Sequence, residues 1–509
     1  MRKISLVLVA AGVMQGAYAA ADDITVLMLN DFHGQMQPNK TMVGASKISS
    51  FIQQYRISHP NTIVVLAGDN YQGTAISNIS WGQVDNEFFN HIGVKYSAIG
   101  NHDFDYGQAA FESWSKINKF PFLAANVLDS STGSIFKYAV PYAQTSLPSG
   151  KKIAFIGLAT LETPETTGAN NIQGLKFTNP AQAANDWVRF LNSSANSLGK
   201  PDTIVLLTHI PSEQESSGKI YYDSNSKLGT SEINSVTKKV SGISAVLTGH
   251  SHMKVDGYLN GVAVVQGASQ GKDISVLHYD CHTQPQCKVT PEIIDLALAT
   301  KDLPADPVVD KIIDKYYQQN KVLLNQPITN SKQVLNNMPE SGLYNINLTY
   351  TIADVMRKIT HSEIGLQNTY GIRRSLPSGE ITYSMIYEAM PFDNTVTTVN
   401  ITGKYLRELV EHSLPTGKIQ LAVFAGVNLN LTPTGKIEQI LVNGKPLDPK
   451  QVYSLATINF LTSGGDGFDF SHATDLKDTN IPIREVIKQD WLKNGINVPQ
   501  DWQSITLKP

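Results

Sequence analysis

The sequence lacks an excess of either charge and any strong compositional bias. Its 509 residues contain 41 Lys and Arg against 44 Asp and Glu, a formal net charge of −3. Such mild acidity argues against a large surface for binding nucleic-acid polymers, which is usually basic. With 41% hydrophobic and 17% charged residues, the chain is also unlike a disordered protein. Its length suggests two or three compact domains.

Hydrophobic runs of membrane-spanning length are also absent. The apolar run at residues 4–14 follows Arg2 and Lys3 and is too short to cross a bilayer as a helix. Ala17 and Ala19 then place small residues at the positions that a signal peptidase recognises. The pattern predicts a signal peptide over residues 1–19 and a mature protein that is soluble and periplasmic or secreted.

Cysteine is scarce, because Cys281 and Cys287 are the only two in the chain. In an exported protein, an even and closely spaced pair is typical of a disulfide bond. A zinc site is the alternative, but two thiolates without a second pair make a poor one. We therefore predict a disulfide bond between Cys281 and Cys287.

The first half of the chain contains short apolar runs that alternate with polar stretches compatible with helices. The runs are about five residues long and rich in Val, Ile and Leu, which is typical of strands buried in a sheet. They cover residues 24–29, 62–67, 96–99, 122–125, 152–158, 203–207, 245–247 and 262–265. This alternation predicts an α/β domain in which layers of sheet are flanked by helices.

The pattern changes after about residue 295, where apolar side chains take helical spacing over residues 305–322 and predict a connecting helix. Beyond it we predict a helix at 351–360, strands near 396–401 and 420–431, and a glycine-rich loop near Gly464. The predicted organisation is a first domain over 22–295, a linker with its helix over 296–329, and a smaller α+β domain over 330–509.

Five of the predicted strands are followed directly by Asp, Asn or His. Sites in α/β sheets form beyond the carboxyl ends of strands, so we expect these side chains to meet: Asp31, His33, Asp69, Asn101, His209, His250 and His252. In Asp31-x-His33 and in His250-x-His252, alternation along an extended segment would point both side chains the same way. A set of nitrogen and oxygen ligands without thiolate suits two divalent ions a few ångströms apart.

Motifs in both halves resemble those of a known family. The calcineurin-like metallophosphoesterases are matched in order by Asp31-x-His33, Gly68-Asp69, Gly100-Asn101-His102-Asp103, His209 and Gly249-His250-Ser251-His252. The second half adds Asn368-x-x-Gly371-Ile372-Arg373, Pro391-Phe392-Asp393-Asn394, Asn459-Phe460 and Gly464-Gly465-Asp466-Gly467. With these motifs the mature chain is similar to the bacterial secreted 5'-nucleotidases, a family that includes UDP-sugar hydrolases.

The resemblance implies a role for each matched residue. Asp69 would bridge two metal ions, one completed by Asp31, His33 and His252 and the other by Asn101, His209 and His250. His102 and Asp105 match the catalytic pair, which acts as a metal-bridging hydroxide attacks phosphorus in line. Phe392 and Phe460 match two rings that enclose the base, while Asn368, Arg373 and Asp466 match polar contacts to the substrate.

The favoured interpretation is a secreted 5'-nucleotidase of nucleotide catabolism, which converts AMP-like nucleotides to nucleoside and phosphate. A 2',3'-cyclic-nucleotide phosphodiesterase with 3'-nucleotidase activity and a UDP-sugar hydrolase are open alternatives built from the same parts. A catalytically silent metal- or nucleotide-binding surface protein is an alternative of another class, against which the intact His102 and complete ligand set argue. Mn, Zn, Co and Mg all tolerate such ligands, and we expect a monomer.

One departure from the family lies between Gln333 and Met356, where no Lys or Arg occurs. Relatives usually carry an arginine in this segment, and Tyr350 stands where we would expect it. Tyr370 also lies in a stretch that is richer in glycine in the family. We therefore expect a pocket that binds phosphate less strongly or accepts different nucleotides, with Arg374 as a candidate replacement.

Overall fold

The computed structural model describes residues 23–147, 150–222, 231–281, 287–414 and 419–507. The predicted signal peptide lies outside the described residues. In the described part of the chain, no helix has both the length and the apolar character that a membrane span requires. Cys281 and Cys287 form the predicted disulfide bond.

The apolar runs of the first half all form strands, with ends shifted by a few residues, and further short strands join them. In chain order they are β1 (Ile24–Leu29), β2 (Thr62–Leu66), β3 (Val94–Ala98), β4 (Phe122–Leu123), β5 (Val127–Asp129), β6 (Ala139–Val140), β7 (Tyr142–Ser146), β8 (Lys152–Ala159), β9 (Leu175–Phe177), β10 (Thr203–His209), β11 (Glu213–Gln214), β12 (Ile220–Tyr221), β13 (Ala245–Leu247), β14 (Val255–Leu259), β15 (Val262–Gln266), β16 (Asp273–Asp280) and β17 (Lys288–Asp295).

Two mixed sheets in the first half pack face to face. One has the strand order β17-β16-β1-β2-β3-β4-β6, and the other has the order β14-β15-β13-β10-β8-β7. Strands β1, β2 and β3 run parallel, as do β8, β10, β13 and β15. Buried side chains from both sheets, among them Val26, Val65 and Leu207, form one shared core.

Helices cover the outer faces of both sheets, as the alternating pattern predicted. The helices of the first half are α1 (Ala45–Ser58), α2 (Ala75–Ile79), α3 (Gln83–His91), α4 (Gln108–Ile117), α5 (Thr163–Thr166), α6 (Pro180–Leu191), α7 (Glu232–Lys239) and α8 (Leu296–Ala299). Apolar side chains of α1, α3 and α4 pack on the first sheet, and those of α6 and α7 pack on the second. The resulting order of layers is helix, sheet, sheet, helix.

The predicted connecting helix is present as α9 (Pro307–Leu324). Asp306 caps its first turn by accepting a hydrogen bond from the main-chain N–H of Val308. Further along α9, the side chains of Lys315 and Tyr316 both donate to Glu87 of α3, at 2.6 and 2.7 Å. These contacts attach the connecting helix to the first half of the chain.

The second half combines helices with sheets whose strand pairs are mostly antiparallel, as expected of an α+β domain. Its strands are β18 (Pro327–Ser331), β19 (Ile364–Asn368), β20 (Gly379–Thr382), β21 (Thr395–Thr402), β22 (Ala422–Ala425), β23 (Val427–Leu431), β24 (Ile437–Val442), β25 (Lys445–Pro446), β26 (Val452–Ile458), β27 (Thr474–Pro482) and β28 (Ile505–Leu507). Its helices are α10 (Asn347–Ile359), α11 (Tyr383–Ala389), α12 (Gly403–Ser413), α13 (Asn459–Thr462) and α14 (Ile483–Asn494).

The single strand predicted near residues 420–431 is wrong, because the chain turns in its middle. Gly426 has a φ of 83°, a left-handed conformation that glycine adopts without a steric penalty. β22 before it belongs to the sheet β22-β19-β26-β21-β27, whereas β23 after it belongs to the sheet β25-β24-β23-β28. The segment therefore contributes one strand to each of the two larger sheets of the second half, where we expected one continuous strand.

Candidate metal centre and substrate cleft

The loops that follow β1, β2, β3 and β13, together with the last residue of β10, bring the predicted metal ligands together at one edge of the facing sheets. Ligand atoms of Asp31, His33 and His252 lie within 4.8 Å of one another, and so do those of Asp69, His209 and His250. Asn101 joins the second group, since its Oδ1 lies 2.9 Å from Nδ1 of His250.

Asp69 lies between the two groups. Its Oδ2 is 3.8 Å from Nε2 of His33 in one group and 3.1 Å from Nε2 of His209 in the other. Its Oδ1 accepts a hydrogen bond from the main-chain N–H of His102 at 2.8 Å. The carboxylate is thus held beside both groups, as we expect of a residue shared by two ions.

Two of the histidines are oriented by main-chain carbonyls. Nδ1 of His33 lies 2.9 Å from the carbonyl of Gln72, and Nδ1 of His209 lies 2.7 Å from that of Ala67. A carbonyl only accepts, so Nδ1 of each ring donates and Nε2 faces the centre. Nε2 of His209 is fully buried, with Oδ2 of Asp69 3.1 Å away. Burial lowers the pKa of His209, but Asp69 and Asp31 outweigh it and raise the pKa to about 10, so this position attracts positive charge. A divalent cation would satisfy this position, so the donor set fits the ions implied by the resemblance.

The ligands project from turns whose backbone is unusual for residues other than glycine. The φ angles are positive, from 48° to 72°, at Asp31, His33, Asp69, His250 and His252. Such conformations cost about 1–3 kcal/mol each and concentrate at functional sites. We expected Asp31 and His33, and likewise His250 and His252, to lie along extended segments. This expectation is wrong, because all four residues have left-handed backbone conformations.

Glycines in the motifs allow these turns to approach one another closely. A Cβ on Gly100 would lie 2.1 Å from Oδ1 of Asp69, so no side chain fits there. Gly68 has a φ of 87°, which places Asp69 at the start of a left-handed turn. The glycines of the Gly68-Asp69 and Gly100-Asn101 pairs thus allow the close approach of the two loops that carry Asp69 and Asn101.

Asp103, to which the sequence analysis gave no role, holds two of these loops together. Its carboxylate accepts hydrogen bonds from the main-chain N–H groups of Asp69, Asn70 and Gly100, at 3.1, 2.8 and 2.8 Å. Burial, together with the nearby Asp69, raises the pKa of Asp103 to about 7. Asp103 therefore fixes the backbone of the loops that carry Asp69 and Asn101.

The local electrostatics suit metal ligation. Burial, together with Arg373, holds the pKa of His33 well below its usual value, which keeps its ring neutral and its lone pair available. Burial alone would raise the pKa of Asp31, but His252 and His209 outweigh it and lower the pKa. The pKa of Asp69 is also lowered, because His209 and His102 outweigh burial. Both carboxylates are therefore ionised.

The predicted catalytic pair lies beside the metal ligands. His102 begins a short 3₁₀ helix, His102–Phe104, and Asp105 follows directly, so that Nδ1 of His102 lies 2.8 Å from Oδ2 of Asp105. Burial lowers the pKa of His102, but Asp105 and Asp69 outweigh it and raise the pKa. The pair has the geometry of a proton donor oriented by a carboxylate.

A cleft of about 490 Å³ lies between the two halves, and four predicted metal ligands line it: Asp69, Asn101, His250 and His252. The second half contributes every predicted substrate residue to its lining: Asn368, Arg373, Phe392, Phe460 and Asp466. The two halves also touch beside it, because Gln72 and Asn78 each donate a side-chain hydrogen bond to the carbonyl of Pro391, at 2.9 and 2.8 Å.

Side chains of the second half reach the metal edge of the cleft. Nη2 of Arg373 lies 3.4 Å from Nε2 of His33. The Phe392 ring stacks on His102 with centroids 5.1 Å apart, and the Arg373 guanidinium lies 5.8 Å from the Phe392 ring centroid. Asn368 donates a hydrogen bond of 2.7 Å to Asp466. A cation and an aromatic ring from the second half thus border the predicted catalytic residue.

The structure does not support a replacement for the missing arginine. Tyr350 is fully buried and donates a hydrogen bond of 2.9 Å to Asp501, and it does not line the cleft. Arg374 contacts Gln35 and lies 3.5 Å from Glu388, and it is not among the described residues of the cleft lining. The expectation that Arg374 could compensate is therefore not met.

The cleft also contains residues to which the sequence analysis gave no role, and one of them, Glu162, contacts a predicted metal ligand. Its Oε2 lies 3.2 Å from Nε2 of His250, and Tyr222 and Tyr370 line the same cleft. Glu162 lies three residues beyond the end of β8. The rule that selected Asp, Asn or His directly after a strand therefore did not identify it.

Two protein families match the chain along its length. The family described as calcineurin-like phosphoesterase matches residues 24–254, and the family described as 5'-nucleotidase, C-terminal domain, matches residues 328–473. The chain belongs to the 5'-nucleotidase family. The chain is therefore a metal-dependent phosphoester hydrolase that acts on nucleotides. Its calcineurin-like phosphoesterase domain implies divalent metal ions.

Individual relatives agree with this assignment to the 5'-nucleotidase family. "Protein UshA" of Yersinia enterocolitica is 26% identical over 92% of this chain and 90% of the relative. A "5'-nucleotidase" of Vibrio cholerae is 24% identical over 87% of this chain and 85% of the relative. The crystal structure of a 5'-nucleotidase precursor from Thermus thermophilus covers 96% of this chain and 100% of its own, with a TM-score of 0.79 and 23% identity. The predicted fold class is confirmed.

Proposed function

We propose that the chain is a periplasmic or secreted 5'-nucleotidase that hydrolyses nucleoside 5'-monophosphates to nucleoside and inorganic phosphate. The observation that carries this proposal is the shared cleft, in which Arg373 and Phe392 of the second half border the metal groups and His102 of the first. The relative named 5'-nucleotidase supports it. The basic, apolar and small-residue pattern of residues 1–19 supports export.

In this proposal the first half supplies the chemistry. Asp69 would be shared by the two ions, and the other ligands would complete the two groups: Asp31, His33 and His252, and Asn101, His209 and His250. When bound, two divalent ions lower the pKa of a water and neutralise phosphoryl oxygens. His102, oriented by Asp105, donates a proton or hydrogen bond to an oxygen on which charge accumulates.

The second half binds the substrate. Arg373 contacts phosphoryl oxygens, because its guanidinium reaches the metal edge of the cleft. Phe392 and Phe460 line the same cleft and enclose the base, for which stacking on an aromatic ring contributes about 1–3 kcal/mol per base. Asp466, held by Asn368, accepts hydrogen bonds from the nucleoside.

The charge of the cleft lining favours a substrate with a single phosphate. Carboxylates line the cleft outside the metal ligands: Asp105, Glu162, Glu165, Glu213, Asp393 and Asp466. Arg373 is the single Lys or Arg among the described residues of the lining. Two divalent ions and one guanidinium can balance the negative charge of one phosphate. Further phosphates would lie against the carboxylates of the lining and be repelled by them. We therefore favour nucleoside monophosphates over diphosphates and triphosphates.

A substrate profile tests the proposal. Metal-free protein is reconstituted separately with Mn, Zn, Co and Mg, and kcat/KM is measured for AMP, 3'-AMP, 2',3'-cyclic AMP, ADP and UDP-glucose. We expect the highest kcat/KM with AMP. A higher value with cyclic or 3'-AMP would replace the proposal by the phosphodiesterase alternative, and a higher value with UDP-glucose by the sugar-nucleotide hydrolase. No phosphate release with any metal would indicate a silent binding protein.

A further inference from the structure

The carboxylate of Glu162 lies against a predicted metal ligand on the side that faces away from the other ligands. Its Oε2 is 3.2 Å from Nε2 of His250, whereas the other ring nitrogen, Nδ1, is 2.9 Å from Oδ1 of Asn101. Only 7% of the Glu162 surface is exposed. The His250 ring is thus placed between a buried carboxylate and the second metal group.

These contacts determine which ring nitrogen of His250 carries the proton. An ionised carboxylate only accepts hydrogen bonds, so Nε2 must donate to Glu162 and Nδ1 is left with its lone pair. The amide nitrogen of Asn101 donates to the carbonyl of Thr166 at 3.3 Å, which turns Oδ1 of Asn101 towards Nδ1 of His250. Nδ1 of His250 and Oδ1 of Asn101, both acceptors and 2.9 Å apart, would repel each other on their own. Two ligands of the same cation can lie this close, because both lone pairs point at the cation.

We propose that Glu162 is a positioning residue that fixes the tautomer and the orientation of His250, so that Nδ1 binds the ion of the second group. A carboxylate that accepts from a metal-bound histidine also makes that histidine a stronger ligand. The inference rests on the proposed function, in which His250 is a metal ligand. It adds a residue that is neither a metal ligand nor a substrate contact.

Glu162 is itself held in place, as a positioning residue requires. Tyr222 donates a hydrogen bond of 3.2 Å to its Oε2. The preceding turn is attached to the buried carboxylate of Glu232, which accepts from the Thr160 hydroxyl and from the main-chain N–H of Leu161, at 2.5 and 2.9 Å. The carboxylate of Glu162 therefore has a defined position relative to His250.

His250 differs in this respect from two other histidine ligands. His33 and His209 are oriented by main-chain carbonyls, which a substitution cannot remove. His250 is oriented by a side chain, so its geometry can be tested by mutation. The effect should be confined to the ion that His250 binds, while the ion bound by His33 and His252 should be unaffected.

The test is a calorimetric titration of Mn²⁺ into metal-free protein. Wild type should bind two ions per chain. Glu162→Ala should bind one ion as wild type does and the other about 10–100-fold more weakly, the usual effect of removing such a partner. Glu162→Gln, whose amide oxygen still accepts from Nε2, should recover most of the affinity. The electron paramagnetic resonance signal of a spin-coupled Mn pair should weaken in Glu162→Ala at Mn²⁺ concentrations that saturate wild type.

Two further variants keep the test informative. Glu292→Ala removes a carboxylate that lies 2.6 Å from Nε2 of His278 and outside the cleft lining, so it should bind both ions as wild type does. Glu162→Asp retains the charge but withdraws the carboxylate by one methylene. It should weaken binding of the same ion that Glu162→Ala affects. If the alanine variant does not fold, the affinity of Glu162→Asp for this ion tests the inference.

Two results would overturn the inference. One is unchanged affinity for both ions in Glu162→Ala, or in Glu162→Asp if the alanine variant does not fold. The other is a Glu162→Gln variant as impaired as Glu162→Ala, which would make Glu162 a direct ligand. Failure of wild type to bind two ions would instead contradict the proposed function, so the two failures are distinguishable.

Discussion

At the residue scale, the candidate metal centre holds five of its predicted ligands in backbone conformations with positive φ. At Asp31 and His33 these angles arise from tertiary packing of the loop that follows β1. Propensity disfavours such angles for residues other than glycine. A bound cation, by contacting the converged side chains, would offset this conformational cost.

Asp69 is the residue on which both metal groups depend, since its Oδ2 lies near His33 and His209. Asp69→Asn replaces the shared carboxylate by a neutral amide of the same shape. We expect loss of at least one ion per chain and of nearly all turnover, as measured by elemental analysis of the purified protein and phosphate release from AMP. A variant with two ions and a wild-type rate would contradict the assignment of Asp69 as the bridge.

His102 should affect turnover without affecting metal content, because its Nδ1 is hydrogen-bonded to Asp105 and it belongs to neither ligand group. His102→Ala should retain both ions and lose roughly a hundred-fold or more in kcat, the usual contribution of a general acid or electrostatic donor. Inductively coupled plasma mass spectrometry and steady-state kinetics would be measured on the same sample. Loss of an ion together with the rate would instead make His102 a ligand.

At the element scale, the strand ends explain both the success and the limits of the sequence analysis. Short apolar runs followed by Asp or His located the site, because parallel strands present their carboxyl ends at one edge. Glu162 was missed because it is the third residue after β8 and does not follow the strand directly. The break at Gly426 was missed because Ala422–Ala425 and Val427–Leu431 are both apolar enough to resemble one strand, and only the turn separates them.

The N-terminus of α9 is predicted to be a stabilising element. Asp306 accepts hydrogen bonds from the N–H of Val308, the Ser49 hydroxyl and the His91 ring, at 2.9, 2.6 and 2.8 Å. Asp306→Ala removes a helix cap together with bonds to α1 and α3. We expect the free energy of unfolding near pH 7 to fall by roughly 2 kcal/mol, as measured by chemical denaturation.

The contribution of Asp306 should depend on pH in a defined direction. Burial would raise its pKa, but hydrogen bonds from Ser49 and His91 outweigh it and lower the pKa to about 2 from 3.8. Because the folded pKa is depressed, the stabilisation is present above the unfolded pKa and is lost as pH falls towards the folded value. The difference between wild type and Asp306→Ala should therefore shrink below about pH 4. Asp295→Ala, which removes the cap of the short helix α8, is the control and should cost less.

At the scale of the whole molecule, the two halves divide the tasks of metal binding and substrate binding. The motifs could be assigned to each half from sequence, but the approach of Arg373 to His33 could not, because it depends on how the halves pack. The connecting helix is attached to the first half through Glu87 and Asp306. We therefore propose that any hinge for substrate entry lies after Leu324, within the predicted linker.

The aromatic rings of the second half should contribute to binding of nucleotides but not to the chemistry at phosphorus. Phe392→Ala or Phe460→Ala should lower kcat/KM for AMP by an amount equivalent to about 1–3 kcal/mol, because one face of the base loses its stacking partner. An aryl phosphate, which depends less on the base site, should lose less. Phe460→Ala gives the clearer result, since Phe392 also stacks on His102.

The control for this comparison is a stacked aromatic ring elsewhere in the second half. Tyr405 stacks on His472 with centroids 3.9 Å apart and is not part of the described cleft lining, so Tyr405→Ala should leave the ratio of kcat/KM for AMP to that for the aryl phosphate unchanged. In Phe460→Ala the ratio should fall, with metal content and melting temperature as in wild type. Equal losses of kcat/KM on both substrates would mean that Phe460 supports packing and that the base binds elsewhere. The Phe460 ring packs closely on Gly465, since a Cβ added to Gly465 would lie 2.5 Å from it.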